Sequence, residues 1–203
     1  MRSIPLAPDA RPAGASRVGP LGFHPEAAQL QLATLVALGA VAALLTTFVN
    51  VKLGIPGHHV VFAIFPLALG LALAPRRWAG TIMSGSALAT VAGLGLVGTH
   101  VPGVGVLTGV LLVGPLLDLA VRWGRAGPRL YGAFVAAGAL ANIGAFVVRG
   151  AAKYFGFGGL GGTRPFAAWL PVAAWTYVVA GMLAGFISAA AWFHFRAPRR
   201  TES

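Results

Sequence analysis

The sequence predicts an all-α integral membrane protein: a bundle of six transmembrane helices with its N-terminus and C-terminus in the cytoplasm. Three observations carry that prediction. Only 9% of the 203 residues are charged while 57% are hydrophobic. An average soluble domain carries roughly 25% charged residues, and 9% is too little to coat a globule of this size with polar surface. The apolar residues fall into separate runs, most of them about as long as a bilayer is thick. Finally, the Lys and Arg residues gather in alternate connections between those runs, as they do in membrane proteins. The absence of cysteine excludes a disulfide framework, a thiolate metal site and a Cys nucleophile.

Residues 1–28 carry five prolines (Pro5, Pro8, Pro12, Pro20, Pro25), several glycines and three arginines without helical or strand periodicity. They read as a flexible cytoplasmic tail. A signal peptide does not fit, because the first apolar run spans residues 30–49 without a charge, longer than a secretory apolar core and long enough to cross a bilayer. The second run, residues 60–74, carries Pro66 and falls short of the roughly 20 residues of a span. It reads as a short span or as a broken element that protein shields from lipid. Residues 78–97 are Gly-rich and uncharged, 104–121 are interrupted by Asp118, 130–148 contain Asn142, and 166–195 carry Pro171 near the start. Residues 29–195 therefore form the transmembrane domain and 196–203 a basic cytoplasmic tail.

The cations set the orientation. With a cytoplasmic N-terminus, eleven lie inside (Arg2, Arg11, Arg17, Arg76, Arg77, Arg122, Arg125, Arg129, Arg196, Arg199, Arg200), and four lie outside (Lys52, Arg149, Lys153, Arg164). That asymmetry is a strong positive-inside signal. It also removes the net charge of +11 as an argument for nucleic-acid binding.

Small residues recur four apart: Ala33 and Ala37, Gly39 and Ala43, Gly105 and Gly109, Gly181 and Gly185, and the series Gly85, Ala89, Gly93. Such spacing lets helix backbones approach closely. Packing inside the bundle accounts for most of these pairs, while Ala33 and Ala37 on the first helix also suit contact with a partner subunit.

Polar residues at membrane depth are the informative ones. The connection after the first helix holds Asn50, Lys52, Gly54, Pro56, Gly57, His58 and His59, a tight loop on the outer side. Its two histidines read either as weak metal-ligand candidates or as interfacial residues capping the second helix; no acid or cysteine lies nearby to complete a metal site. On the fifth helix, Asn142, Arg149 and Lys153 are spaced seven and four apart, which returns them to within about 20° of one line. One face thus presents an amide beneath two cations. That suits a substrate bearing a carboxylate or phosphate, and snorkelling to headgroups is the alternative for the cations. Tyr154 and Phe155, with the glycines that follow, resemble a lid over an outward pocket. Trp169, Trp175 and Tyr177 fit an interfacial aromatic belt, with Trp169 also a candidate for the substrate site. Asp118 stands four residues before Arg122, the favourable order for an ion pair. The chain shows no paired carboxylates, no H-E-x-x-H, no G-x-S-x-G and no nucleotide-binding motif, so neither an enzyme nor a self-powered pump is expected and no cofactor is implied.

The small-residue first helix, the loop at residues 52–59, Val113-Gly114-Pro115-Leu116 and Ala133-Phe134-Val135-Ala136-Ala137 together resemble the substrate-binding membrane subunits (S components) of energy-coupling factor (ECF) transporters. The loose similarity is to their cobalt/nickel branch, in which a Lys-x-Pro loop bearing histidine leads into helix two and a Gly-Pro falls within helix four. It spans residues 30–195. The resemblance implies an inner-membrane ABC importer subunit that captures a vitamin, a precursor or a metal ion from outside, and Lys52, Arg149 and Lys153 point to an anionic, vitamin-like solute. It implies as partners a transmembrane coupling subunit, met through Ala33 and Ala37, and two cytoplasmic ATPases. The metal branch begins Met-His and binds its ion there, whereas this chain begins Met1-Arg2, which favours an organic solute over a divalent metal. The candidate substrate-binding residues are Asn50, Lys52, His58, His59, Asn142, Arg149, Lys153, Tyr154 and Trp169. A structural or assembly subunit of a larger membrane complex is the competing reading.

Overall fold

A computed structural model describes residues 25–49, 59–74, 76–99, 101–124, 127–156 and 165–195. The described residues form six helices and no strand: α1 (Pro25–Phe48), α2 (His59–Leu73), α3 (Ala79–Leu96), α4 (Val104–Gly124), α5 (Pro128–Tyr154) and α6 (Phe166–Phe195). Five of them are long and apolar enough to cross a membrane; α2 is shorter. This is the architecture of an all-α, multi-pass membrane protein.

The helix bounds follow from chemistry that apolar content alone misses. α1 begins at Pro25, so the last four residues of the stretch read as tail belong to the first helix. Proline in the first turn brings a pre-set φ, and Glu26 beside it complements the positive end of the helix dipole. α5 runs on past the apolar run at 130–148 to Tyr154, which places Arg149 and Lys153 in helical register with Asn142.

At 15 residues, α2 is only about 22 Å long, against a hydrocarbon core of about 30 Å. Its position resolves the mismatch. α2 packs against all five other helices, and Val60, Ala63, Ile64, Leu67, Ala68 and Leu71 are buried. The main core forms around it, with Leu35, Met83, Leu117, Phe134 and Trp192. Lipid reaches little of this helix, so its length is set by neighbouring side chains.

Two crossings bring backbones close together. A Cβ on either Gly80 or Gly114 would strike the other's carbonyl, which fixes the α3–α4 approach, and Gly138 stands in the same relation to Gly181 on α5 and α6. Gly85 and Gly93 have open space where a side chain would lie; that stripe is exposed and packs against nothing in the bundle. Adjacent helices run antiparallel in these pairs: Asp118 near the end of α4 reaches Gly80 at the start of α3, and Tyr131 early in α5 stacks on Phe193 late in α6, with 4.7 Å between ring centroids. The starts of α3 and α5 thus share one end of the bundle, called here the terminal end, with the ends of α4 and α6. The opposite end is the distal end.

At the terminal end, α3 starts without a side-chain cap of its own. The residue before it, Trp78, adopts a left-handed φ of 65°, unusual for a bulky residue. Asp118 supplies the missing cap from α4: its carboxylate accepts the N–H of Gly80 at 2.8 Å and of Thr81 at 2.8 Å, and the Thr81 hydroxyl at 2.7 Å. The expected pairing of Asp118 with Arg122 gives way to this arrangement. The Arg122 guanidinium instead lies 4.6 Å from the centre of the Trp78 ring.

Candidate functional site

The distal half of the bundle contains a cleft between α2, α4, α5 and α6. Its walls are Val60 and Ala63 from α2, Gly105, Val106, Gly109 and Val110 from α4, Ala145 from α5, and the polar trio Asn142, Arg149 and Tyr177. It is open at its mouth, and the space it encloses is small, about 20 Å³ for the centre of a water-sized molecule. The walls are apolar apart from that trio, the usual composition of a small-molecule site.

The three polar residues are tied together across one helix pair. Asn142 is 2% exposed, and its Nδ2 donates to the backbone carbonyl of Tyr177 at 2.6 Å. Two turns on, Arg149 Nη1 donates to the Tyr177 hydroxyl at 3.2 Å. Tyr177 therefore receives a hydrogen bond from α5 at each end, and its own ring is 4% exposed. Phe146 lies against that ring, 5.7 Å between centroids, which holds the phenol in place. The outcome is a half-buried guanidinium whose hydrogen-bond partner is neutral. Among the described residues the carboxylates are Glu26, at the start of α1, and Asp118, bound to the start of α3. Neither lines the cleft. An ion held beside apolar walls without a counter-charge favours binding an anion, and a guanidinium fork suits a planar oxyanion best.

The remaining sequence candidates distribute around this centre. Lys153 shares the α5 face but does not line the cleft: its Nζ sits 5.8 Å from the centre of the Trp169 ring. Trp169 is buried and stacks on Phe146 at 5.6 Å, so it supports the wall from behind. Tyr154 is exposed and meets Phe155 and Phe166 edge-on, at 5.3 and 5.8 Å. Asn50, Lys52 and His58 lie outside the described residues, and of His59 only its place at the start of α2 is described. No group of three His, Cys, Asp or Glu side chains suited to a metal occurs among the described residues. Ala33 and Ala37 are exposed on α1.

Tyr177, Gly105 and Gly109 are the site residues that sequence reasoning placed elsewhere, the first in an aromatic belt and the glycines in a packing stripe. The helical period of α6 puts Tyr177 on the same face as Ala173, Ala180 and Ala184, all buried. A tyrosine on a row of buried alanines is the signal that separates it from the exposed Trp175. Compared with protein-family models, with curated proteins and with solved structures, the chain matches none of them.

Proposed function

We propose that the protein is the solute-capture subunit of an ECF-type importer in the cell (inner) membrane. All six helices are embedded, both termini are cytoplasmic, and a small anionic solute binds in the distal cleft from the outer side. The orientation rests on the eleven-to-four division of cations, which puts the Arg149 end outside. An ECF-type importer works with cytoplasmic ATPases and a transmembrane coupling subunit, for which the exposed Ala33 and Ala37 on α1 offer a close-approach face. The observation that carries the reading is Arg149: a guanidinium at the rim of an apolar cleft, held by a neutral phenol and without a carboxylate beside it among the described residues.

A second reading is favoured by the surroundings of the same residue. The exposed Tyr154 and Phe155 and the Lys153–Trp169 contact resemble an interfacial girdle, in which Arg149 would meet a lipid phosphate and the protein would serve as a structural subunit. Both readings place an oxyanion on Arg149; its source differs. The test is native mass spectrometry of the full chain purified from its membrane, as wild type, Arg149→Gln and Asn142→Ala. Solute capture predicts a retained small anion that Arg149→Gln loses and Asn142→Ala weakens. A retained phospholipid in place of a solute, lost in the same variant, would establish the structural reading.

A further inference from the structure

We infer that Gly109 sets the size of the solute, and that the cleft takes a short aliphatic monocarboxylate. The inference rests on the anion-binding reading of Arg149 and extends it from charge to shape. Gly105 and Gly109 stand one turn apart on α4, facing α5, but they do different work. A Cβ on Gly105 would come within 3.2 Å of both the Ala145 carbonyl oxygen and Arg149 Cβ, tighter than ordinary contact. Gly105 is therefore needed to let the two helices approach and to seat the stem of Arg149. A Cβ on Gly109 would meet only Ala145 Cβ, at an ordinary 3.7 Å. Packing does not demand glycine at that position, and glycine is among the poorest helix formers. What its missing side chain leaves is the cleft itself, which Gly109 lines.

Two further small residues border the same space. Ala63 on α2 and Ala145 on α5, both buried and both lining the cleft, join Gly109 so that three helices each contribute a minimal side chain. Ala145 is one turn below Arg149 and nearly one turn above Asn142, placing this narrow section between the guanidinium and the amide. A carboxylate on Arg149 would point its tail into this section. The walls there are hydrocarbon, and no described carboxylate stands near to balance a cationic group. The tail is therefore short, apolar and uncharged, which excludes amino acids and other zwitterions.

The experiment uses the full chain in nanodiscs of phosphatidylcholine and measures equilibrium binding of radiolabelled acetate, propionate, butyrate and hexanoate. Wild type should prefer propionate or butyrate to hexanoate. Gly109→Ala should weaken butyrate by about tenfold, the scale of one methylene in an apolar pocket, and leave acetate unchanged. Ala63→Val narrows the same section from another helix and should produce the same shift, which guards against a folding defect in either variant. Equal loss across the series, or no loss, in both variants would overturn the role of Gly109 while leaving the anion site standing. Wild type that binds none of the acids, or Arg149→Gln that binds them as well as wild type, would overturn the anion site and the size inference with it.

Discussion

Asp118 caps a helix to which it does not belong, gripping Thr81 at two points: the backbone N–H at 2.8 Å and the hydroxyl at 2.7 Å. The Gly80 N–H completes the set at 2.8 Å. These are the second and third N–H groups of α3, the two that a conventional N-cap side chain satisfies. Trp78 in the cap position cannot serve them, and the carboxylate arrives from α4 in its place.

Removing that grip should destabilise the bundle. Hydrogen bonds to a charged group each contribute about 1.5 to 3 kcal/mol, and Asp118→Ala leaves the buried Gly80 N–H and the two part-buried Thr81 donors without their acceptor. We expect a loss of at least about 2 kcal/mol, read as a lower unfolding midpoint in detergent. Asp118→Asn keeps the size and one acceptor oxygen and should lie between the two. Arg122→Ala should change the midpoint far less, since the Asp118 carboxylate is held by α3. Equal effects from Asp118→Ala and Arg122→Ala would show instead that the two act as an ion pair.

Glycines of identical helical setting should respond with opposite sign. Gly181→Ala drives a methyl into the backbone of α5 and should cost about 1 to 3 kcal/mol by overpacking. Gly85→Ala meets open space and should stabilise α3 by up to about 1 kcal/mol through helix propensity. Thermal unfolding of the two variants side by side checks both signs.

Tyr177→Phe isolates the aim of the Arg149 guanidinium. The substitution removes the hydroxyl acceptor yet retains the ring against Phe146 and the carbonyl that Asn142 uses. Stability should fall by about 1 kcal/mol, the worth of one hydrogen bond. Affinity for the anionic solute should fall further, about tenfold, as the guanidinium loses its orientation. Arg149→Lys should also bind weakly, because an ammonium lacks the planar fork. Undiminished binding by Tyr177→Phe in a titration would show that the phenol positions nothing.

The orientation can be read directly. Green fluorescent protein fused to either terminus should fluoresce, and alkaline phosphatase fused to either should be inactive, as expected of cytoplasmic ends. Active phosphatase at one end would change the number of crossings and require α2 to be counted differently.

Much of the fold is legible in hydropathy because the bilayer sets a minimum apolar length for a span that lipid surrounds. The run at 166–195 coincides with α6 and the start of α4 falls at Val104 as expected. The bound that differs is the start of α1, which Pro25 and Glu26 open; α5 continues through Arg149 and Lys153, as their spacing from Asn142 anticipates. The site was legible only on one helix. Spacing placed Asn142 and Arg149 on a common face, since that needs nothing but the helical period. It could not supply Tyr177, because the residue opposite depends on how α6 is set against α5. Nor could it separate Gly105 from Gly109, whose different roles rest on a difference of 0.5 Å in the space beside them.

The central place of the short α2 bears on how the chain is made. Helices enter the membrane in order of synthesis, and one of about 22 Å is a poor lodger in lipid by itself. Its large contact with α6 joins it to a segment synthesised much later. Until α6 has been made, the face of α2 destined for it has only lipid or the insertion machinery to lie against. A chain cut short before residue 166 would therefore carry five helices around an uncovered centre, and should be cleared by proteolysis instead of accumulating as a partial bundle.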